Sequence, residues 1–190
     1  MQQKLQDHLR ALFRGHNAQY STPNHYLRSV EHLSVEFFTF REVYALLFDA
    51  DNTLFEHGKP QAPPPSLERI ASVLPCAILT DSHHRFDEYE SKTGLKVVRT
   101  QHLKPLEGAF LDGFEVLKQM YESYRGRNGI PDADLQIHNV AMIGDMVAKD
   151  IVGANKVGMY TLKVRPVKYL SEPLSAHLAR YLGRASRLFC

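Results

Sequence analysis

The sequence predicts an α/β fold: a doubly wound, three-layer parallel sheet of about five strands with no cap domain. Three observations carry that expectation. Short β-prone runs alternate with helical stretches from residue 43 to residue 164, the pattern that produces right-handed βαβ crossovers. The runs are apolar nearly throughout, as strands covered on both faces must be. The chain has 190 residues, 44% hydrophobic and 23% charged, which suits one globular domain and excludes a disordered or collagen-like chain.

Each element follows in order. Residues 2–14 place Leu5, Leu9, Leu12 and Phe13 at helical spacing. Ser21-Thr22-Pro23-Asn24 breaks that helix, and the stretch to about Phe40 is weakly patterned. Residues 43–48 form the first strand. The Pro-rich segment 60–65 is a stiff connector, followed by a helix over 65–73 and a second strand over 75–79. A helix over 82–93 leads to a short third strand at 96–98 and a long helix over 105–124. After the loop 125–131 come a fourth strand at 139–143, a helix at 147–156, a fifth strand at 160–164 and a last helix over 173–189. The chain thus divides into a lead-in of 1–40, an α/β unit of 41–166 and a C-terminal helix of 167–190.

Composition removes several function classes. A net charge of +2 gives no reason to expect nucleic acid as a partner. Cys76 and Cys190 make neither a disulfide framework nor a zinc site. No apolar run approaches the roughly 20 residues that cross a bilayer, and no secretory signal opens the chain. The expected location is cytoplasmic, in solution or peripheral on the inner face of a membrane. Ten histidines are scattered; His83 and His84 would point about 100° apart on a helix, which suits a surface role.

In parallel sheets the chemistry sits beyond the carboxyl ends of the strands. There the sequence places Asp49, Asp51 and Thr53 after strand one, Thr80 and Asp81 after strand two, Lys104-Pro105 before the long helix, and Gly144-Asp145 with Asp150 after strand four. Carboxylates crowded on one rim repel unless they take up protons or share a cation. Oxygen ligands without sulfur or paired imidazoles favour Mg²⁺. A carboxylate can attack phosphorus and form an aspartyl-phosphate, with Thr80 and Lys104 stabilising the transferring oxygens.

Asp49-Ala50-Asp51-Asn52-Thr53 resembles motif I of haloacid-dehalogenase-type (HAD) phosphatases, D-x-D-x-T at a strand end. Thr80, Lys104, and Gly144-Asp145 with Asp150 resemble motifs II, III and IV in the required order. The resemblance implies that Asp49 is the nucleophile and a Mg²⁺ ligand. Asp51 is then the acid–base, with its backbone carbonyl on the metal. Asp145 and Asp150 complete the metal site, Thr80 binds the phosphoryl group, and Lys104 pairs with Asp49 and that group. Asp81 stands where the family usually has Asn. A capping role on the next helix is expected for its side chain, with its backbone N–H offered to substrate.

Only 30 residues separate Asp49 from Thr80, and 23 separate Thr80 from Lys104. Neither interval has room for a lid, so an open site and a large or membrane-held phosphorylated substrate are expected. Residues 23–30, 93–98 and 153–160 resemble a capless branch of the family that dephosphorylates phosphatidylglycerophosphate. Lys156 and Arg165 are placed near the rim, where they could meet a second phosphate. Residues 163–190 carry six basic side chains against one acidic, Glu172. Arg180, Arg184 and Arg187 share one face of the last helix, and an apolar stripe lines another. That helix either docks on anionic membrane or closes the core. Two rivals remain: a HAD phosphatase of a soluble sugar, nucleotide or phosphoprotein, and a receiver-type phospho-accepting domain, which would need its acceptor Asp after strand three.

Overall fold

The computed structural model describes residues 19–168; the expected helices at 2–14 and 173–189 lie outside the described residues. Six strands form one open sheet: β1 (His25–Leu27), β2 (Ala45–Phe48), β3 (Cys76–Ile78), β4 (Lys96–Val97), β5 (Val140–Gly144) and β6 (Tyr160–Val164). Their order is β1-β6-β5-β2-β3-β4, and every neighbouring pair is parallel. The helices are α1 (Val35–Thr39), α2 (Pro65–Ala71), α3 (Phe86–Thr93), α4 (Glu107–Tyr121) and α5 (Val152–Val157), the last preceded by a π-helical turn at Val147–Ile151.

β2 lies at the centre because its four residues, Ala45, Leu46, Leu47 and Phe48, offer no polar side chain to solvent, and all are fully buried. From β2 the chain moves through β3 to β4, then returns over α4 to β5 on the other side. Right-handed crossovers therefore put α2 and α3 on one face and α4 and α5 on the other. Gly113 lets α4 lie against β2, since a Cβ there would meet the Leu47 side chain at 2.7 Å. The direction reverses beside β2, and that switch point is where an α/β sheet opens a crevice at its carboxyl edge. The segments between Asp49 and Thr80, and between Thr80 and Lys104, hold only sheet strands, helices and short loops. Among the described residues no inserted domain covers the rim.

Several boundaries differ from expectation. The lead-in contains α1 and an edge strand, β1, making six strands rather than five. β1 pairs with β6 through His25↔Leu162, Tyr26↔Lys163 and Leu27↔Val164. It is pinned by Asn24, whose Oδ1 accepts from the Thr161 N–H at 2.8 Å, and by Asn155, whose Nδ2 donates to the carbonyls of Tyr20 and Thr22. The helix expected from Ser82 starts instead at Phe86, after a 3-10 turn at His83–Arg85. The long helix is shorter at both ends, and the helix at 147 begins as a π turn. No helix among the described residues is long and apolar enough to cross a membrane.

Candidate active site

Asp49 is the first residue past β2, and its N–H still donates to the Ile143 carbonyl of β5 at 2.9 Å. The sheet ladder thus holds its backbone while the side chain enters the crevice. Asn52 makes the tight return of this loop at φ 64°, a left-handed conformation that Asn tolerates better than most residues. Thr53 Oγ1 donates to Asp49 Oδ2 at 3.1 Å and lies 3.5 Å from Asp145 Oδ1. Thr53 therefore stands between the acids of β2 and β5.

Lys104 arrives from the loop after β4 with its side chain only 2% exposed. Its ammonium bonds Asp49 Oδ1 and lies 2.7 Å from Asp150 Oδ1. The π turn, a rare geometry that recurs at functional sites, carries Asp150. The other Asp150 oxygen accepts from the Met146 N–H at 2.9 Å. Asp150 is packed so close to β5 that a Cβ on Gly144 would fall on its carboxylate. Gly is needed here for that approach.

A second group faces Asp51. Its Oδ2 accepts from Ser82 Oγ at 2.9 Å and its Oδ1 from the Gly58 N–H at 2.8 Å, with His57 Nδ1 at 3.6 Å. Arg85 holds that loop from the far side, donating to the Gly58 carbonyl at 2.7 Å. Thr80 is buried at the end of β3, and its hydroxyl accepts from the Ser82 N–H. Asp81 is not a helix cap. Its Oδ1 accepts from the Lys104 N–H at 3.0 Å and its Oδ2 pairs with Lys149 at 2.9 Å. The loops after β3, β4 and β5 are thereby tied through one carboxylate. The reason is proximity: the helix starts five residues later, at Phe86, and the unpaired backbone donor of Lys104 lies nearer.

Lys156 departs from expectation as well. α5 runs antiparallel to the strands, so its last turn, which holds Lys156, lies beside the amino end of β6. Neighbouring Asn155 is bonded there to the lead-in. The residues to which sequence reasoning gave no role are Thr53, Ser82, Gly58 and Lys149. Thr53 alone carried a signal, as the last residue of the D-x-D-x-T pattern.

The electrostatics follow from burial. Loss of water pushes the Asp49 carboxyl well above the usual carboxylate range; Lys104 pulls it back, while Asp150 and Asp145 raise it again. Burial works to lower the Lys104 pKa, but the carboxylates of Asp150, Asp49 and Asp81 outweigh it and keep the ammonium charged. Burial also works upward on Asp81, where Lys104 and Lys149 hold the carboxyl below its ordinary value. The Asp49, Asp145 and Asp150 side chains each offer a ligand oxygen within 4.8 Å of the others. The Lys104 ammonium bonds two of these three carboxylates, and the donor set, all hard oxygen, suits a divalent cation. Asp51 lies outside that trio.

A family model described as HAD-hydrolase-like matches residues 113–181. "Probable phosphatase YqeG" of Bacillus subtilis (strain 168) is 24% identical over 149 residues, covering 76% of this chain and 77% of that protein. Both findings support a HAD-type phosphatase. No solved structure matches this chain. The family match spans β5, the π turn and β6, and so includes two of the three clustered acids.

Proposed function

We propose that this phosphatase is a Mg²⁺-dependent phosphomonoesterase working through a phospho-aspartate at Asp49, with phosphatidylglycerophosphate as substrate. The observation that carries the chemistry is the separation of two acids on one loop. Asp49 is clamped by Lys104 and Thr53, whereas Asp51 is held by Ser82 and Gly58. An Asp49 oxygen attacks phosphorus as the ester P–O bond breaks, and Asp51 gives its proton to the leaving oxygen. Water then attacks the phospho-aspartate, Asp51 takes the water proton, and phosphate leaves with the Asp49 carboxylate restored. Lys104 stays protonated throughout and, with Thr80, stabilises charge on the transferring oxygens. Asp49, Asp145 and Asp150 would hold Mg²⁺, with help from the Asp51 backbone carbonyl, and the ion would neutralise phosphoryl charge beside these acids.

The absence of an inserted domain over the rim among the described residues supports a substrate whose body stays outside the protein, such as a lipid in a bilayer. The likeness of residues 23–30, 93–98 and 153–160 to the phosphatidylglycerophosphate branch supports the headgroup. A screen of Mg²⁺-dependent phosphate release across lipid, sugar, nucleotide and phosphopeptide esters tests both levels. The expected result is the highest rate on micellar phosphatidylglycerophosphate, with turnover abolished in Asp49→Asn and its melting transition kept cooperative. Undiminished hydrolysis of an aryl phosphate by Asp49→Asn would refute the nucleophile assignment. A preference for a soluble ester would remove the lipid.

A further inference from the structure

Beyond the strand ends of β1 and β6 lies a groove of about 240 Å³, lined by Tyr26, Leu27, Arg28, Lys163, Val164 and Arg165. The cross-strand register sets Tyr26 beside Lys163 on one face of the sheet edge, and Arg28 and Arg165 follow two positions further along each strand. Among the described residues three cations line the groove and no carboxylate does. Arg28 and Arg165 are exposed and make no ion pair among the described residues. Like charges gathered this way repel one another unless an anion enters between them.

The groove opens on the same rim as the active site. Val167, two residues past Arg165, donates its N–H to the Asn52 carbonyl in the Asp49–Asp51 loop at 2.8 Å. Apolar surface accompanies the charge: Tyr26 is 55% exposed and Val167 53%. An aromatic ring beside cations is the composition of surfaces that settle at the headgroup level of a bilayer.

We infer that this groove binds a headgroup phosphate of an anionic bilayer and so seats the active-site rim on the membrane. The choice of a bilayer over a free anion rests on the lipid reading above. Strand spacing decides whose phosphate it is. The β1–β6 seam is two to three strands from β2, roughly 12 Å at the usual interstrand distance. Two phosphorus atoms joined through a glycerol are separated by six bonds, which span only about 7–8 Å. The groove therefore takes the phosphate of a neighbouring lipid, not the second phosphate of the molecule being hydrolysed.

Sedimentation of the full chain with phosphatidylcholine vesicles, with and without phosphatidylglycerol, tests this against the double variant Arg28→Gln/Arg165→Gln. Wild type should pellet with the anionic vesicles only. The double variant should partition about 25-fold less, at about fivefold for each basic residue near the surface, and Arg165→Gln alone about fivefold less. Both variants should hydrolyse a soluble aryl phosphate at the wild-type rate and melt at the wild-type temperature. Wild-type chain left in the supernatant, or equal partitioning of wild type and variants, would overturn the inference. So would a rise in wild-type melting temperature with inorganic phosphate that the double variant lacks, since the groove would then be a small-anion subsite. Failure of wild type to hydrolyse the aryl phosphate would count against the proposed chemistry and leave the vesicle result standing on its own.

Discussion

With divalent cations chelated, Lys104→Met should lower the stability of the folded chain by about 3–5 kcal/mol at neutral pH, the usual cost of stripping one partner from a buried ion pair. Methionine fills nearly the same space, so the loss isolates charge from packing. What remains is Asp49, Asp145 and Asp150 within 4.8 Å of one another, without the ammonium that had bonded Asp49 and Asp150. For a chain of this size each kcal/mol moves the melting temperature by about 2–4 °C, which gives a fall of roughly 6–20 °C. The pH dependence has a definite sign. The folded Asp49 carboxyl already titrates above its unfolded value, and losing Lys104 lifts it further. A carboxyl raised by folding keeps the folded state protonated while the unfolded state has already ionised, so stability is lost as pH rises from the unfolded value near 4 through the folded one. The penalty should therefore grow as the pH rises above about 4, the ordinary carboxylate value. Added Mg²⁺ should recover part of it, because a cation that binds only the folded state stabilises it by mass action. Thermal scans of both proteins across that range, with chelator and with Mg²⁺, supply the measurement. A gap under about 1 kcal/mol, or one that does not change with pH, would refute the electrostatic account of the cluster.

Gly144→Ala should displace Asp150 and through it Lys104, since the new methyl group would fall on the Asp150 carboxylate; phosphate release should drop by at least tenfold, with a destabilisation of about 1–3 kcal/mol from overpacking. An unchanged rate in a steady-state assay would show that the close approach is not needed. Asp81→Asn should cost about 1 kcal/mol, because it keeps an oxygen for the Lys104 N–H while losing the partly exposed Lys149 pair and the attraction to the Lys104 ammonium. Asp81→Ala should cost about 1–3 kcal/mol by leaving that N–H unsatisfied. Urea titrations of both variants compare the two, and equal losses would mean that the hydrogen bond to Lys104 carries nothing.

Much of the site could be read along the chain because three of its polar residues each follow an apolar run. Phe48 precedes Asp49, Leu79 precedes Thr80, and Ile143-Gly144 precedes Asp145; a strand with no polar residue must be central, and the residue that ends it must reach the rim. Other positions carried no such local mark. β1 has three residues and one exposed edge, so its apolar signal is weak, and its partner strand is more than 130 residues away. Ser82 meets Asp51 across 31 residues, and Lys149 meets Asp81 across 68. Asp81 looked like a helix cap because Asp before a helical stretch usually is one. The helix began later than its periodicity suggested, and the carboxylate went to the Lys104 loop instead. Lys156 was misplaced for a different reason: one helix of six residues is long enough to carry its end away from the rim.

From the one-dimensional order came the parallel sheet, the ends at which polar groups collect, and the succession of Asp49, Thr80, Lys104 and Asp145. These follow from periodicity and burial, which act between near neighbours. Folding in three dimensions decided the rest: that a single lysine stands between Asp49 and Asp150, that Thr53 bridges the acids of two strands, that Asp51 turns toward Ser82 and Gly58, and that Arg28 meets Arg165 in one groove. Those contacts depend on sheet order and crossover hand, which bring together side chains whose separation in sequence has no bearing on their distance in space.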